Sequence, residues 1–168
     1  MSQVFLAMPR FYNVSKRIRE LNETWEIKSK DGVVYCSPET VIDERVTNMH
    51  KKGIRIPDNL RVKLSGDGTV LGKRLNLCVV TLVLLDEGSV ARTSNGNHIV
   101  GLISGGESYE NLNYGMKEII EEISSLKRIK FKDRYLTLEY FLGGDYKFIL
   151  TVMGLDGPTS LYPCAWCK

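Results

Sequence analysis

Two apolar runs of this sequence end in glycine followed by aspartate, and this pattern constrains the fold more than any other feature. The first run covers residues 61–67 and ends in Asp67, and the second covers residues 135–145 and ends in Asp145. Each run predicts a strand that stops at its glycines, which leave room for the close approach of another group. If the two strands are neighbours, both carboxylates lie at one edge of a sheet. They could then share a divalent metal ion, which indicates metal-dependent phosphoryl transfer.

Length and composition indicate a globular chain with a buried core. The chain has 168 residues, of which 43% are hydrophobic and 26% charged, which fits one domain or one domain with a short arm. Its net charge of +3 is compatible with a nucleic-acid partner but does not argue for one. The sequence contains no apolar run of the ~18–20 residues that a membrane span needs. We also find no secretory signal, so we expect no membrane partner.

The order of the elements predicts a mixed sheet. Strands are expected at residues 61–65, 76–86, 98–104 and 135–142, with a helix over 108–126 before the last of them. Three consecutive strands joined by short loops should form an antiparallel meander. A helical crossover should then place the fourth strand parallel to the first. Residues 147–155 are apolar and fit either a strand or a buried helix.

The first 60 residues are predicted to form a helical N-terminal extension, and residues 61–168 a separate α/β unit. Helices are expected at residues 12–21 and 40–52. A basic approach to the first strand consists of Lys51, Lys52, Arg55, Arg61 and Lys63. A solvated face explains such a run better than phosphate contact does, although the sequence leaves both interpretations open.

Two blocks of sequence carry a resemblance to a known family. They are residues 65–68, which read Ser-Gly-Asp-Gly, and residues 138–168. In the second block Asp145 is followed after two residues by lysine, after nine and ten by Gly-Leu, and after nineteen by the first cysteine of a Cys-x-x-Cys motif. These features resemble the catalytic core of the V(D)J recombinase catalytic subunit and its Transib transposase relatives. The resemblance covers roughly residues 61–168.

The resemblance implies a ribonuclease-H-like fold and a DDE-type DNA recombinase or transposase. Asp67 and Asp145 would be the first two acidic ligands of Mg²⁺ or Mn²⁺ in DNA strand cleavage and transfer. DNA would be the partner, the full-length parent would be a homodimer, and the location would be the nucleus. The family's third carboxylate is a glutamate downstream of the Cys-x-x-Cys motif, beyond Lys168. We therefore expect weak metal binding and little activity, as for a fragment of a longer parent protein.

The cysteine motif predicts half of a zinc site. Cys164 and Cys167 would supply two of the four ligands that tetrahedral zinc requires. In the resembling family the other two ligands are histidines further along the chain. We therefore expect zinc in the full-length parent.

Simpler interpretations of the acidic residues stay open. Aspartate next to glycine is common in turns, so Asp67 and Asp145 could have a purely structural role. Glu107 resembles an acidic position at the head of the family's helix and could be a second-shell metal ligand, although a helix-capping charge is the simpler role. In an unrelated ribonuclease-H-like nuclease, Glu107 or Glu110 would complete the metal site. The main alternative is a domesticated or decayed, non-enzymatic transposon-derived domain that binds DNA or protein.

Overall fold

The computed structural model describes residues 25–72 and 74–161, together with Lys16 and Glu20. The described chain is an α/β structure built on one mixed sheet of seven strands in the order β1-β2-β5-β4-β3-β7-β6. The strands are β1 Lys28–Lys30, β2 Val33–Tyr35, β3 Asn59–Leu71, β4 Leu75–Leu84, β5 His98–Ser104, β6 Arg128–Phe131 and β7 Arg134–Gly144.

The strand pairing confirms the predicted meander and crossover. Strand β3 pairs antiparallel with β4, and β4 pairs antiparallel with β5. Strand β7 then returns parallel to β3, with Ser65 opposite Gly143 and Gly66 opposite Gly144. This parallel register places the two Gly-Asp sequences side by side. The prediction that the first strand stops at its glycines is wrong, because β3 continues through Gly66 to Leu71 in its pairing with β4.

Four α-helices lie within the ranges 25–72 and 74–161, together with the 3-10 helices Leu85–Arg92 and Ser94–Gly96. The α-helices are α1 Pro38–Lys51, α2 Tyr109–Gly115, α3 Lys117–Ser125 and α4 Tyr146–Val152. The single helix predicted over residues 108–126 is found as α2 and α3, which meet at Met116. As the sequence suggests, Ser108 caps α2 by accepting a hydrogen bond from the backbone N–H of Asn111 at 3.3 Å. None of the described helices is long and apolar enough to cross a membrane.

The expected helical extension contains a β-hairpin as well as a helix. Strands β1 and β2 form this hairpin, and β2 pairs antiparallel with β5 at one side of the sheet. Helix α1 corresponds to the helix predicted over residues 40–52, and it buries Val41, Ile42 and Met49 completely. These residues belong to the same apolar core as the strands that follow. The other predicted helix, at residues 12–21, lies outside the continuously described ranges.

The core lies on one face of β3, whose side chains alternate between the two faces of the sheet. Leu60, Val62 and Leu64 are buried on this face together with the fully buried Phe148 of α4. A Cβ atom at Gly66 would overlap the Phe148 ring, so the close packing of α4 on β3 depends on glycine at this position. This packing places the N-terminal part of α4 next to Gly66 of β3.

Candidate metal site

Asp67 and Asp145 line one groove at the end of the parallel pair β3–β7. The groove has a volume of about 630 Å³, and Gly66 and Gly144 form part of its lining. Both aspartates are exposed, and each directly follows a glycine of the opposed pair Gly66–Gly144. The structure therefore brings together the two carboxylates that the sequence singles out.

Asp145 also has a structural role that the turn interpretation anticipates. Its Oδ1 atom accepts a hydrogen bond of 2.7 Å from the backbone N–H of Phe148, so Asp145 is the N-cap of α4. This bond fixes the orientation of the carboxylate. Because a carboxylate has two oxygens with several acceptor sites, capping does not use up its capacity to bind a cation.

Glu107 does not line the groove, because it packs against Gly68 and successive residues of β3 face opposite sides of the sheet. Its side chain is only 7% exposed, and it packs against Gly68, where an added Cβ would lie 3.2 Å from its Oε2 atom. Ser108 caps helix α2 through its side chain, and Glu107 directly precedes this cap, so the expected role of Glu107 as a charge at the helix N-terminus stays a prediction. The Oε1 atom of Glu107 is buried and has no hydrogen-bond partner within the described chain. A buried acceptor without a partner is rare and costly, and it indicates a site that a ligand or ion can complete.

The side chain of Lys147 forms an ion pair with Glu107. Its Nζ atom lies 2.6 Å from Glu107 Oε2, and its side chain is 54% exposed. The hydrogen bond and charge of Glu107 raise the pKa of Lys147, and the negative charges of Asp145 and Asp67 raise it further. The ammonium group therefore lies in the electrostatic field of all three carboxylates, and its hydrogen-bond partner within the described residues is Glu107.

The carboxylate oxygens of the groove are the type of ligand that a hard divalent cation prefers, but two carboxylates supply fewer ligands than such an ion needs. Carboxylate oxygens are the ligands that Mg²⁺ and Mn²⁺ prefer, and the groove offers those of Asp67 and Asp145. Within the described ranges, however, no group of three His, Cys, Asp or Glu side chains is arranged to hold a metal ion. Two aspartates share the groove, and the third carboxylate is held beside it by Lys147.

The predicted zinc ligands Cys164 and Cys167 lie outside the described residues, so the zinc half-site stays a prediction. The other two cysteines are buried, Cys36 next to β2 and Cys78 in β4. Burial raises the pKa of each thiol to about 11. At Cys78 the negative charges of Glu107 and Asp67 add to this effect. Both thiols are therefore inert core groups at neutral pH.

The basic run that precedes β3 does not act as one surface. Arg61 forms an ion pair of 2.7 Å with Asp86, and Lys63 lines the groove. Lys51, at the end of α1, is exposed, as is Lys52 beside it. Of the predicted basic approach, Lys63 is the residue that reaches the groove.

The chain matches no protein-family model and no curated protein. The resemblance to DDE recombinases therefore stays a prediction from the sequence blocks around Asp67 and Asp145.

Proposed function

We propose that this chain is a ribonuclease-H-like domain of the DDE recombinase and transposase type, which uses divalent metal ions to cleave and transfer DNA strands. The observation that carries the proposal is the shared groove of Asp67 and Asp145, which directly follow the last pair of the parallel ladder between β3 and β7. The antiparallel meander, helical crossover and parallel fourth strand support the ribonuclease-H-like assignment.

The groove residues have complementary roles in this proposal. Asp67 and Asp145 would hold Mg²⁺ or Mn²⁺, and the bound ions would supply charge stabilisation to the attacking and leaving oxygens of a phosphodiester. Gly66 and Gly144 line the groove through their backbone, and their missing side chains make room for the buried Phe148 ring. Lys63, which lines the same groove, supplies a positive charge to a phosphate. Ser65 and Thr81 carry hydroxyl groups within hydrogen-bond distance of each other, 3.1 Å apart, on the groove wall.

Other parts of the proposal follow from the family resemblance. They are a zinc site that includes Cys164 and Cys167, a nuclear location and a homodimeric full-length parent protein. Glu107 stays a candidate second-shell residue by that resemblance, although its side chain lies against Gly68, on the face of β3 opposite the groove that Asp67 lines.

A second candidate is a non-enzymatic domain of transposon origin that binds DNA or protein. It is favoured by the structural uses of the acidic residues, since Asp145 caps α4 and Glu107 is paired with Lys147. The lack of a preformed group of three metal-ligating side chains in the described chain points in the same direction.

Incubation of the chain with supercoiled plasmid in Mn²⁺ separates the two candidates. The first predicts nicked circles that require Mn²⁺ and are lost in both D67N and D145N. Retarded but intact plasmid, bound equally by the wild type and both variants, would contradict the first candidate and favour the second. Asp133→Asn, a change in the exposed turn between β6 and β7, is the matched control and should nick like the wild type.

A further inference from the structure

We propose that the sheet binds single-stranded nucleic acid on its open face, the side of β6, β7 and β3 that lies away from the apolar core. Bases would stack on Tyr135 and Phe141 of β7, and phosphates would contact the cations of the two neighbouring strands. Such binding needs no metal ion. The inference therefore goes beyond strand cleavage and does not rest on metal binding at Asp67 and Asp145.

The first observation is that two aromatic rings lie on the open face. In β7, Leu136 and Leu138 are buried in the apolar core to which the four α-helices also contribute. Side chains alternate along a strand, so Tyr135 and Phe141 point to the opposite face. They are 65% and 39% exposed. A ligand can therefore reach both rings from solvent.

The second observation is that each open-face residue of β7 has a cationic residue directly opposite it on a neighbouring strand. The pairs are Tyr135–Lys130 and Thr137–Arg128 with β6, and Glu139–Arg61 and Phe141–Lys63 with β3. Opposite residues of a sheet point to the same face, with their Cβ atoms about 5 Å apart. Each of the two aromatic rings therefore has a lysine as its direct neighbour.

The third observation is the positive charge that Arg128 and Lys130 give to one end of this face. Both side chains are exposed, and neither forms an ion pair with another residue of the described chain. Arg61 is different, because it is paired with Asp86 at 2.7 Å and lies opposite Glu139. The uncompensated charge of Arg128 and Lys130 complements a phosphate backbone.

Rings and cations together favour an unpaired nucleic-acid strand over other anionic partners. Every base can stack on an aromatic ring, but the bases inside a duplex are already stacked on one another. An acidic peptide could pair with the cations but has no need of the rings. Tyr135 and Phe141 are six positions apart on one strand, which is about 20 Å, so a strand of several nucleotides can contact both.

The test is fluorescence anisotropy of the full chain with labelled oligothymidylate and oligouridylate of about 15 nucleotides, in EDTA. Tyr135→Ala should weaken binding by at least about fivefold, because stacking on one ring is lost. Tyr135→Phe keeps the ring and should bind within about twofold of the wild type. Tyr109→Ala removes a ring of α2 that is 47% exposed, and this matched control should bind like the wild type. The oligonucleotide that is bound more tightly identifies DNA or RNA as the preferred ligand.

A second pair of variants tests the cations. Arg128→Gln combined with Lys130→Gln should lower the slope of log K against log salt concentration by about 1.4, because two phosphate contacts are lost. The matched control combines Lys30→Gln with Lys117→Gln, which removes two exposed lysines on the β1 side of the sheet. This control should leave the slope unchanged. Thermal melting followed by circular dichroism confirms that each variant is folded.

Three results would overturn the inference. The first is a duplex of the same sequence that is bound as tightly as the single strand. The second is equal binding by the Tyr135→Ala and Tyr109→Ala proteins. The third is oligoglutamate that displaces the oligonucleotide at equal concentration of charge, which would make an acidic protein the partner of this face.

The test separates this inference from the proposed function, because EDTA removes any metal ion. A chain that binds oligonucleotides through Tyr135 but does not nick plasmid in Mn²⁺ would contradict the proposed function alone. A chain that nicks plasmid but binds oligonucleotides equally with and without the Tyr135 ring would contradict this inference alone.

Discussion

The backbone N–H of Phe148 donates a 2.7 Å hydrogen bond to Asp145 Oδ1, so the second candidate metal ligand is also the N-cap of helix α4. Phe148 is fully buried against Gly66 on the core face of β3. The same carboxylate therefore joins the start of a core helix to the groove. Its two roles can be separated by substitution, because asparagine caps helices as well as aspartate does but carries no charge.

We expect Asp145→Ala to lower the free energy of unfolding by about 1 kcal/mol, because the cap of α4 is lost. Asp145→Asn should keep most of this stability, since its side-chain oxygen can accept the same bond. Urea unfolding of both variants measures the difference. Equal losses in the two variants would show that the charge of Asp145, and not its capping bond, stabilises α4.

Gly66→Ala should destabilise the fold by about 1–3 kcal/mol, because the added methyl group overlaps the buried Phe148 ring and the well-packed core must shift. The matched change is Gly157→Ala, where a Cβ meets nothing within 4 Å. Chemical unfolding compares the two variants. A Gly66→Ala protein as stable as the Gly157→Ala protein would contradict the close packing of α4 on β3.

The protein should lose stability when one partner of the buried ion pair between Arg45 and Glu87 is replaced. The side chains of Arg45 and Glu87 are 10% and 0% exposed, and Arg45 Nε donates to Glu87 Oε2 at 3.1 Å. Arg45→Met leaves a buried carboxylate uncompensated and should cost about 3–5 kcal/mol of stability. The double change Arg45→Met with Glu87→Leu should recover part of this loss. A double variant less stable than Arg45→Met would show that Glu87 has another partner.

Stability should fall in acid partly because of His98. Burial, followed by the charge of Arg45, lowers the pKa of His98 below its ordinary value of 6.5. Between the lowered pKa and about 6.5, the unfolded chain therefore binds more protons at this residue than the folded chain does. The contribution of His98 is complete above this range and declines as the pH falls through it.

The measurement is the melting temperature of the wild type and of His98→Asn at pH 7.5 and 5.5. We expect the wild type to lose more stability over this interval than His98→Asn. Parallel losses in the two proteins would show that His98 does not contribute to the acid sensitivity.

The sequence predicted the central strands well because their signals are local and strong. The apolar run of β4 and the regular apolar spacing of α2 and α3 can be read from short windows. The hairpin of β1 and β2 was missed because its strands have three residues each, and Lys28–Lys30 is exposed throughout. Strand β6 was missed because its turn contains Lys132 with a φ of 54°, where turn-forming asparagine or glycine would be expected.

The sequence predicted the two aspartates that share the groove, but not the surroundings of Glu107. The Gly-Asp sequences in β3 and after β7 identified Asp67 and Asp145, and the predicted parallel pairing brought them together. The assignment of α4 was left open, although an aspartate three residues before the buried Phe148 is a typical capping signal. The burial of Glu107 could not be predicted, because it depends on the missing side chain of Gly68, 39 positions earlier in the sequence.

The shared metal site of Asp67 and Asp145 is the central claim, and Mn²⁺ titration calorimetry tests it most directly. We expect saturable binding to the wild-type chain and at least about tenfold weaker binding to both D67N and D145N, since each removes a charged oxygen ligand. Asp133→Asn, in the exposed turn at the opposite end of β7, should bind like the wild type. Absence of binding, or binding that neither site variant changes, would contradict the account and leave two structural aspartates.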